Sequence, residues 1–133
     1  MDWNAASEFC KGSEEGASLI EILTSEQMDF MMMELGTLEH TVRALLGTVD
    51  ENYVYLSKVG AKRWWTGGVQ QENEGAWVWD KSGQPVGSFV WYTDKPDGGE
   101  YGDWLYLHFI YGYLGADTYY NNPFNPICQL KWE

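Results

Sequence analysis

Positive charge is what this sequence lacks most: 8 lysines and arginines stand against 20 aspartates and glutamates, a formal net charge of −12. Nucleic acid, heparin and anionic membrane surfaces would repel such a chain at long range, which argues against all three as partners. No apolar run approaches the ~20 residues of a membrane-spanning helix. The opening MDWNAASEF also lacks the apolar stretch of a secretory signal. These absences predict no membrane insertion, and a chain that is either intracellular or a trimmed, mature piece. Cysteine is scarce too. Cys10 and Cys128 lie near opposite ends, which suits neither a CxxC redox pair nor a zinc cluster. A bridge between them would close most of the chain into one loop and stabilise it by about 4–5 kcal/mol in the chain-entropy model. On these grounds a bridge and two buried thiols stand equal. No Asn-x-Ser/Thr sequon adds independent support for secretion.

Signs of catalysis are equally sparse. His40 and His108 fall in different segments, with no HExxH, no Gly-x-Ser-x-Gly and no phosphate-binding glycine loop. Carboxylates are abundant, but no spacing singles out an acid/base pair. No catalytic residue is nominated, and the chain reads as a non-enzyme.

What the sequence does have is core-forming material. Its 133 residues fit one domain, and 44% hydrophobic with 17% aromatic residues is too much apolar surface for a disordered chain. The acidity is uneven. Residues 1–51 carry 11 acids with only Lys11 and Arg43 against them, whereas the remainder, with 9 acids against 6 bases, is mildly acidic. Asp2 is placed to cap a short helix through Cys10, with Trp3, Ala6 and Cys10 on one face, and KGSEEGAS breaks it. Thr24 and Gln27 form a capping box ahead of Met28, Met31, Met32 and Leu35, whose helical spacing predicts core packing rather than a methionine-lined binding face. TLEHTVRALLG reads as continued helix, with Leu38, Val42 and Leu45 on one side, a solvated His40, and a stop at Gly47.

From Tyr53 the texture changes to β-branched and aromatic residues between glycine, asparagine and proline turns. VYL, WWTGGV, AWVW, SFVWY, WLYLHFIY and ICQLKWE read as short strands. Helices followed by strands predict an α+β domain. The stretch at residues 64–80, WWTGGVQQENEGAWVWD, concentrates tryptophan around Gly67-Gly68 and Gly75.

That stretch carries a family resemblance. Trp65-Thr66-Gly67-Gly68 and Glu74-Gly75-Ala76-Trp77-Val78-Trp79 resemble the WIGL and EGxWxW signature of C-type lectin-like domains. The resemblance spans nearly the whole chain, as a single domain over residues 1–133. It implies two helices packed on small antiparallel sheets with a long ligand loop, and tryptophans 65, 77 and 79 that pack rather than bind. It implies a disulfide between Cys10 and Cys128, joining the first helix to the last strand, and with it a secreted or extracellular location. Phe89-Val90-Trp91 and Lys95-Pro96-Asp97 match the strand and proline motif leading into the ligand loop.

Several features depart from the pattern. The first strand of the family, which pairs with the last, has no counterpart before the first helix. This implies a shortened chain or another partner for ICQLKWE, since an unpaired edge invites association into oligomers. Residues 37–63 form a longer link than usual, an insertion that adds a helix and strand of its own or a partner surface. Trp104 stands where a second disulfide would have a cysteine, so aromatic packing by Phe109, Tyr111, Tyr113, Tyr119, Tyr120 and Phe124 is expected to hold the closing loop.

Sugar-binding members hold calcium with a Glu-Pro-Asn or Gln-Pro-Asp motif, a further Glu, and an Asn-Asp pair after tryptophan. Here the corresponding positions read Lys95-Pro96-Asp97 and Tyr120-Asn121-Asn122. A lysine ammonium offers calcium no oxygen and repels it, so the standard site is degraded. Asp97, Glu100, Asp103, Asn121 and Asn122 remain the candidate calcium ligands of a rearranged loop. The resemblance thus implies a ligand site of Lys95, Asp97, Glu100, Tyr101, Asp103, Tyr120, Asn121 and Asn122 for a glycan or protein ligand. The alternative is a calcium-dependent sugar lectin rebuilt around Asp97.

Overall fold

The computed structural model describes residues 1–13, 16–37, 43–45, 52–56, 62–71, 76–97 and 102–131. Within them run helix α1 (Trp3–Ser13), strand β1 (Ser18–Leu19), helix α2 (Ser25–Thr37), then β2 (Arg43–Leu45), β3 (Asn52–Leu56), β4 (Arg63–Gln70), β5 (Trp77–Trp79), β6 (Trp104–His108), β7 (Gly115–Thr118) and β8 (Asn125–Lys131). Two helices beside a mixed sheet make this an α+β fold, as the sequence predicts.

Both helices start where their side chains can satisfy the first amides. Asp2 Oδ1 accepts the amide of Ala5 at 2.8 Å. At α2 the capping box closes in both directions: Thr24 Oγ1 accepts the Gln27 amide at 3.1 Å, and Gln27 Oε1 accepts those of Thr24 at 3.1 Å and Leu23 at 2.7 Å. Behind it Met28, Met31 and Leu35 are buried and Met32 packs against the same core. The methionine stripe is core.

The helix does not continue through Arg43–Leu45 as the periodicity of Leu38, Val42 and Leu45 suggests. Arg43–Leu45 is a strand, paired antiparallel with Tyr53–Tyr55. Apolar residues spaced for a helix are here overridden by pairing with a neighbouring strand, the tertiary context that most often reverses a local preference. Leu38, His40, Val42 and Gly47 lie outside the described residues.

The sheet runs in the order β2-β3-β8-β4-β6-β7, with β1 also on β8 and β5 on β4. Strand β3 pairs antiparallel with β8 from Asn52↔Lys131 to Leu56↔Ile127. The last strand therefore has its partner. It comes from the long link between α2 and β4, not from a strand ahead of α1. On β8's other side lie β1, with Leu19 opposite Cys128, and β4, parallel at Trp64↔Asn125 and Trp65↔Pro126.

Strand β4 explains the tryptophan concentration. Trp64 through Gly68 are all buried, so both faces of this strand are covered. Adjacent residues of a strand point to opposite faces. Trp64 accordingly enters a core with Ile20, Met28, Met31, Trp79, Leu105 and Ile127, whereas Trp65 enters a second with Trp3, Cys10 and Cys128. Trp79 is fully buried, and Trp77 packs edge-on against Trp91 with centroids 4.8 Å apart. The glycines between them admit close neighbours: a Cβ on Gly68 would stand 2.8 Å from Leu105, and one on Gly67 would stand 3.2 Å from the carbonyl oxygens of Leu19 and Ile20.

Cys10 and Cys128 are bridged, with Cα atoms 5.2 Å apart. SFVWY, expected as a strand, is instead a 3-10 turn over Ser88–Val90. Local bonds from Val90 N to Gly87 O and from Trp91 N to Ser88 O use the groups a ladder would need, and Trp91 keeps only an isolated bridge to Gly115.

Candidate ligand site at the proline turn

The turn that carries the proline motif is fixed at its base by β7. Tyr92 donates its amide to the Gly115 carbonyl at 2.9 Å. Close approach is possible because residue 115 is glycine: a Cβ there would stand 3.0 Å from the Val90 carbonyl. The chain then turns through Asp94, which takes a left-handed backbone (φ 65°), and the Lys95 amide returns to the Tyr92 carbonyl at 3.0 Å. The Lys95-Pro96 peptide is cis.

Around this turn the charged groups form a short chain. Lys95 Nζ donates to Asp97 Oδ2 at 2.9 Å, and the Asp97 amide donates to Asp117 Oδ1, also at 2.9 Å. The hydrogen bond from Lys95 holds the Asp97 carboxyl below its ordinary range. The same bond, with the nearby Asp97 charge, raises the lysine despite a small opposing cost of burial. Lys95 Nζ also stands 5.7 Å from the ring centroid of Tyr111, and Tyr111 stacks on Tyr92 at 4.2 Å. Asp117 and the Tyr92–Tyr111 stack are members of the cluster that sequence reasoning did not assign to it. Asp117 was detectable only through strand register: it lies two residues past the glycine that anchors the turn.

The remaining expected residues are distributed elsewhere. Tyr120 packs on Trp104 with centroids 5.2 Å apart, and the Tyr120 carbonyl accepts the Trp3 amide at 2.7 Å. Asn122 Nδ2 donates to Thr118 Oγ1 at 2.8 Å and weakly to the Tyr119 carbonyl. Asn121 is exposed, and the Asp103 carbonyl accepts the Gln70 amide at 2.9 Å. Glu100 and Tyr101 lie outside the described residues. The structure thus joins Lys95 to Asp97 directly, and ties Tyr120 and Asn122 to the segment that precedes β8. Among the described residues no three His, Cys, Asp or Glu side chains converge as a metal-holding group.

Aromatic packing does the work a second bridge would do in that segment. Phe124 contacts Trp65 and Tyr106, each with centroids 4.8 Å apart, and Trp104 joins the same cluster. Tyr113 is buried, whereas Tyr119 stands exposed.

A separate cleft of about 350 Å³ lies between α1, β1 and the Asp80–Lys81 turn, and shares no residue with the Lys95–Asp97–Asp117 cluster. Its buried Glu21 is structural: Oε2 accepts the amides of Lys81 at 2.7 Å and Ser82 at 3.2 Å.

No protein-family model matches the sequence, and no curated protein matches it. Solved structures do. The C-type lectin CEL-I from Cucumaria echinata superposes with a TM-score of 0.70 at 18% identity, covering 100% of this chain and 85% of its own. The mouse scavenger receptor C-type lectin carbohydrate-recognition domain gives 0.70 at 22% identity, over 99% and 82%. Ovocleidin-17 of the Gallus gallus eggshell calcified layer gives 0.70 at 16%, over 99% and 86%. A match of this quality over essentially the whole chain, with both helices and the sheet, makes this protein a C-type lectin-like domain in fold.

Proposed function

We propose that the domain is an extracellular recognition module that takes a carbohydrate or protein ligand at its long-loop region without a calcium ion in the standard position. The observation that carries this reading is the 2.9 Å ion pair between Lys95 and Asp97. Calcium takes six to eight oxygen ligands, carboxylates above all. Here the first motif position brings an ammonium, which contributes no oxygen and already engages an Asp97 oxygen. The described residues of the motif do not fit the ion.

The ligand surface on this reading comprises Lys95, Asp97, Glu100, Tyr101, Asp103, Tyr120, Asn121 and Asn122, with Asp117 added. Its tyrosines and asparagines have the character of adaptable binding loops. The Cys10–Cys128 bridge supports an oxidising, extracellular location. The absence of a catalytic motif in the sequence supports binding rather than turnover. A structural neighbour, the cow CD23 C-type carbohydrate-recognition domain, was solved with an oligosaccharide, which keeps glycans among the ligands to test.

The deciding experiment titrates calcium into the oxidised protein and records heat and melting temperature, because a ligand of the folded state alone must raise its stability. Neither heat nor shift is expected. A saturable shift abolished by Asp97→Ala would replace this reading with the calcium-dependent one, for which Asp117 beside Asp97 would supply a second carboxylate.

A further inference from the structure

The few cations of this acidic chain are not scattered evenly. Arg63 opens β4 and Lys62 precedes it, both exposed, and among the described residues no carboxylate pairs with either. They flank an exposed apolar turn. Phe109 is 38% exposed, Ile110 59%, and neighbouring Tyr92 37%.

Contacts join Lys62 to Phe109 and, through His108, to Tyr111 and Tyr92, and exposed Ile110 stands between the two ring residues in sequence. Lys62 Nζ stands 4.9 Å from the Phe109 ring centroid, and the Phe109 amide donates to the Lys62 carbonyl at 2.9 Å. Arg63 is directly opposite His108 in the β4–β6 ladder, so both side chains lie on the same side of the sheet. His108 is buried beneath the patch, its ring 5.3 Å from Phe109 and 5.2 Å from Tyr111, and Tyr111 carries the stack with Tyr92. The result is a cluster of aromatic and aliphatic side chains edged by two cations that no carboxylate pairs among the described residues. Aromatic anchors beside positive groups are the composition that dominates binding energy at protein interfaces.

We propose that the face of Lys62, Arg63, Tyr92, Phe109, Ile110 and Tyr111 is a docking surface for an acidic peptide segment that carries an aromatic or aliphatic side chain beside its carboxylates. Charge complementarity selects the occupant. Two cations that no described carboxylate pairs, in a chain of net charge −12, attract a short anionic segment locally. A second copy of this chain would bring its own −12 and be repelled as a whole. The apolar side chain of the segment would rest on Ile110 and the tyrosine stack, with its carboxylates toward Lys62 and Arg63. This surface shares the Tyr92–Tyr111 stack with the Lys95–Asp97 cluster, and Lys62, Arg63, Phe109 and Ile110 belong to it alone, so variants at these four positions separate it from the loop reading.

The test uses the oxidised protein and a decapeptide of Asp and Glu with one central Trp, its central-Leu counterpart, and the matching Asn/Gln peptides. Binding is followed by NMR. Saturable shifts are expected at the Ile110 methyls and the amides of Phe109–Tyr111 with the acidic peptides, weakening as salt rises. The Lys62→Glu/Arg63→Glu variant and Ile110→Asp should each weaken binding about 10-fold or more. All three positions are exposed, and near-UV circular dichroism verifies that the variants fold. Lys11→Glu, at an exposed cation in the last turn of α1, should leave binding unchanged. The proposal is overturned if no acidic peptide shifts this face, if the Asn/Gln peptides bind as well, or if Lys11→Glu weakens binding as much as the Lys62/Arg63 variant does. It is also overturned if sedimentation shows a second copy covering the face.

Discussion

The ammonium of Lys95 and the carboxylate of Asp97 meet at 2.9 Å across a cis proline, and each moves the other's titration away from its ordinary value. Because the Asp97 pKa is depressed, its contribution to stability is present above the ordinary carboxyl pKa and is lost as pH falls through the depressed value. The Lys95 pKa is raised, so its contribution is present below the ordinary lysine pKa and is lost as pH rises through the raised one. Asp97 is largely exposed, so both effects are small and salt-screened. Lys95→Ala should return the Asp97 carboxyl toward 3.8 in a carbon-detected NMR titration at low salt. An Asp97 titration identical in parent and variant would mean that the pair does not form in solution.

Cys128 ties β8 to α1 through Cys10, closing a loop with a sequence separation of 118. Removing so long a closure from the unfolded chain should cost about 4–5 kcal/mol in the chain-entropy model. The double variant Cys10→Ala/Cys128→Ala tests this in urea unfolding. A loss below about 1 kcal/mol would place the stability of the α1–β8 contact in packing around Trp3 and Trp65 rather than in the covalent link.

Gly68 faces Leu105 with no room for a methyl group. Gly68→Ala should destabilise by about 1–3 kcal/mol, the usual cost of overpacking a filled core. The same substitution at Gly12, where nothing lies within 4 Å of the added Cβ, serves as the comparison. Equal melting temperatures for the Gly68 variant and parent would show that Leu105 can move aside.

Local chemistry made much of this fold legible in the sequence. The capping box at Thr24 and Gln27 and the methionine stripe behind it follow from spacing and residue type, the packing of Trp65 and Trp79 is what the family resemblance implies, and the structure has each of them. What the sequence could not show was pairing between distant segments. Arg43–Leu45 kept a helical spacing while its pairing with Tyr53–Tyr55 made it a strand, and Ser88–Val90 kept a strand-like composition while local bonds made it a turn. At the loop, Lys95 and Asp97 were visible as a motif. Asp117 was not, because it reaches Asp97 only through the Gly115 contact that brings β7 beside the turn.

Strand β3 supplies a partner to the last strand, and its importance can be measured. From Tyr53 to Tyr55 it lies between β2 and β8, with registered partners on both sides. A proline at Val54 therefore removes a ladder hydrogen bond whichever neighbour its amide faces. Val54→Pro should cost about 1–3 kcal/mol by leaving a carbonyl of the sheet without its donor. It should also speed hydrogen exchange along Ile127–Lys131, the stretch of β8 that β3 covers. Exchange that is unchanged at β8 would mean that β1, β4 and the disulfide hold the last strand by themselves, and that the link between α2 and β4 is free to serve some other purpose than completing the sheet.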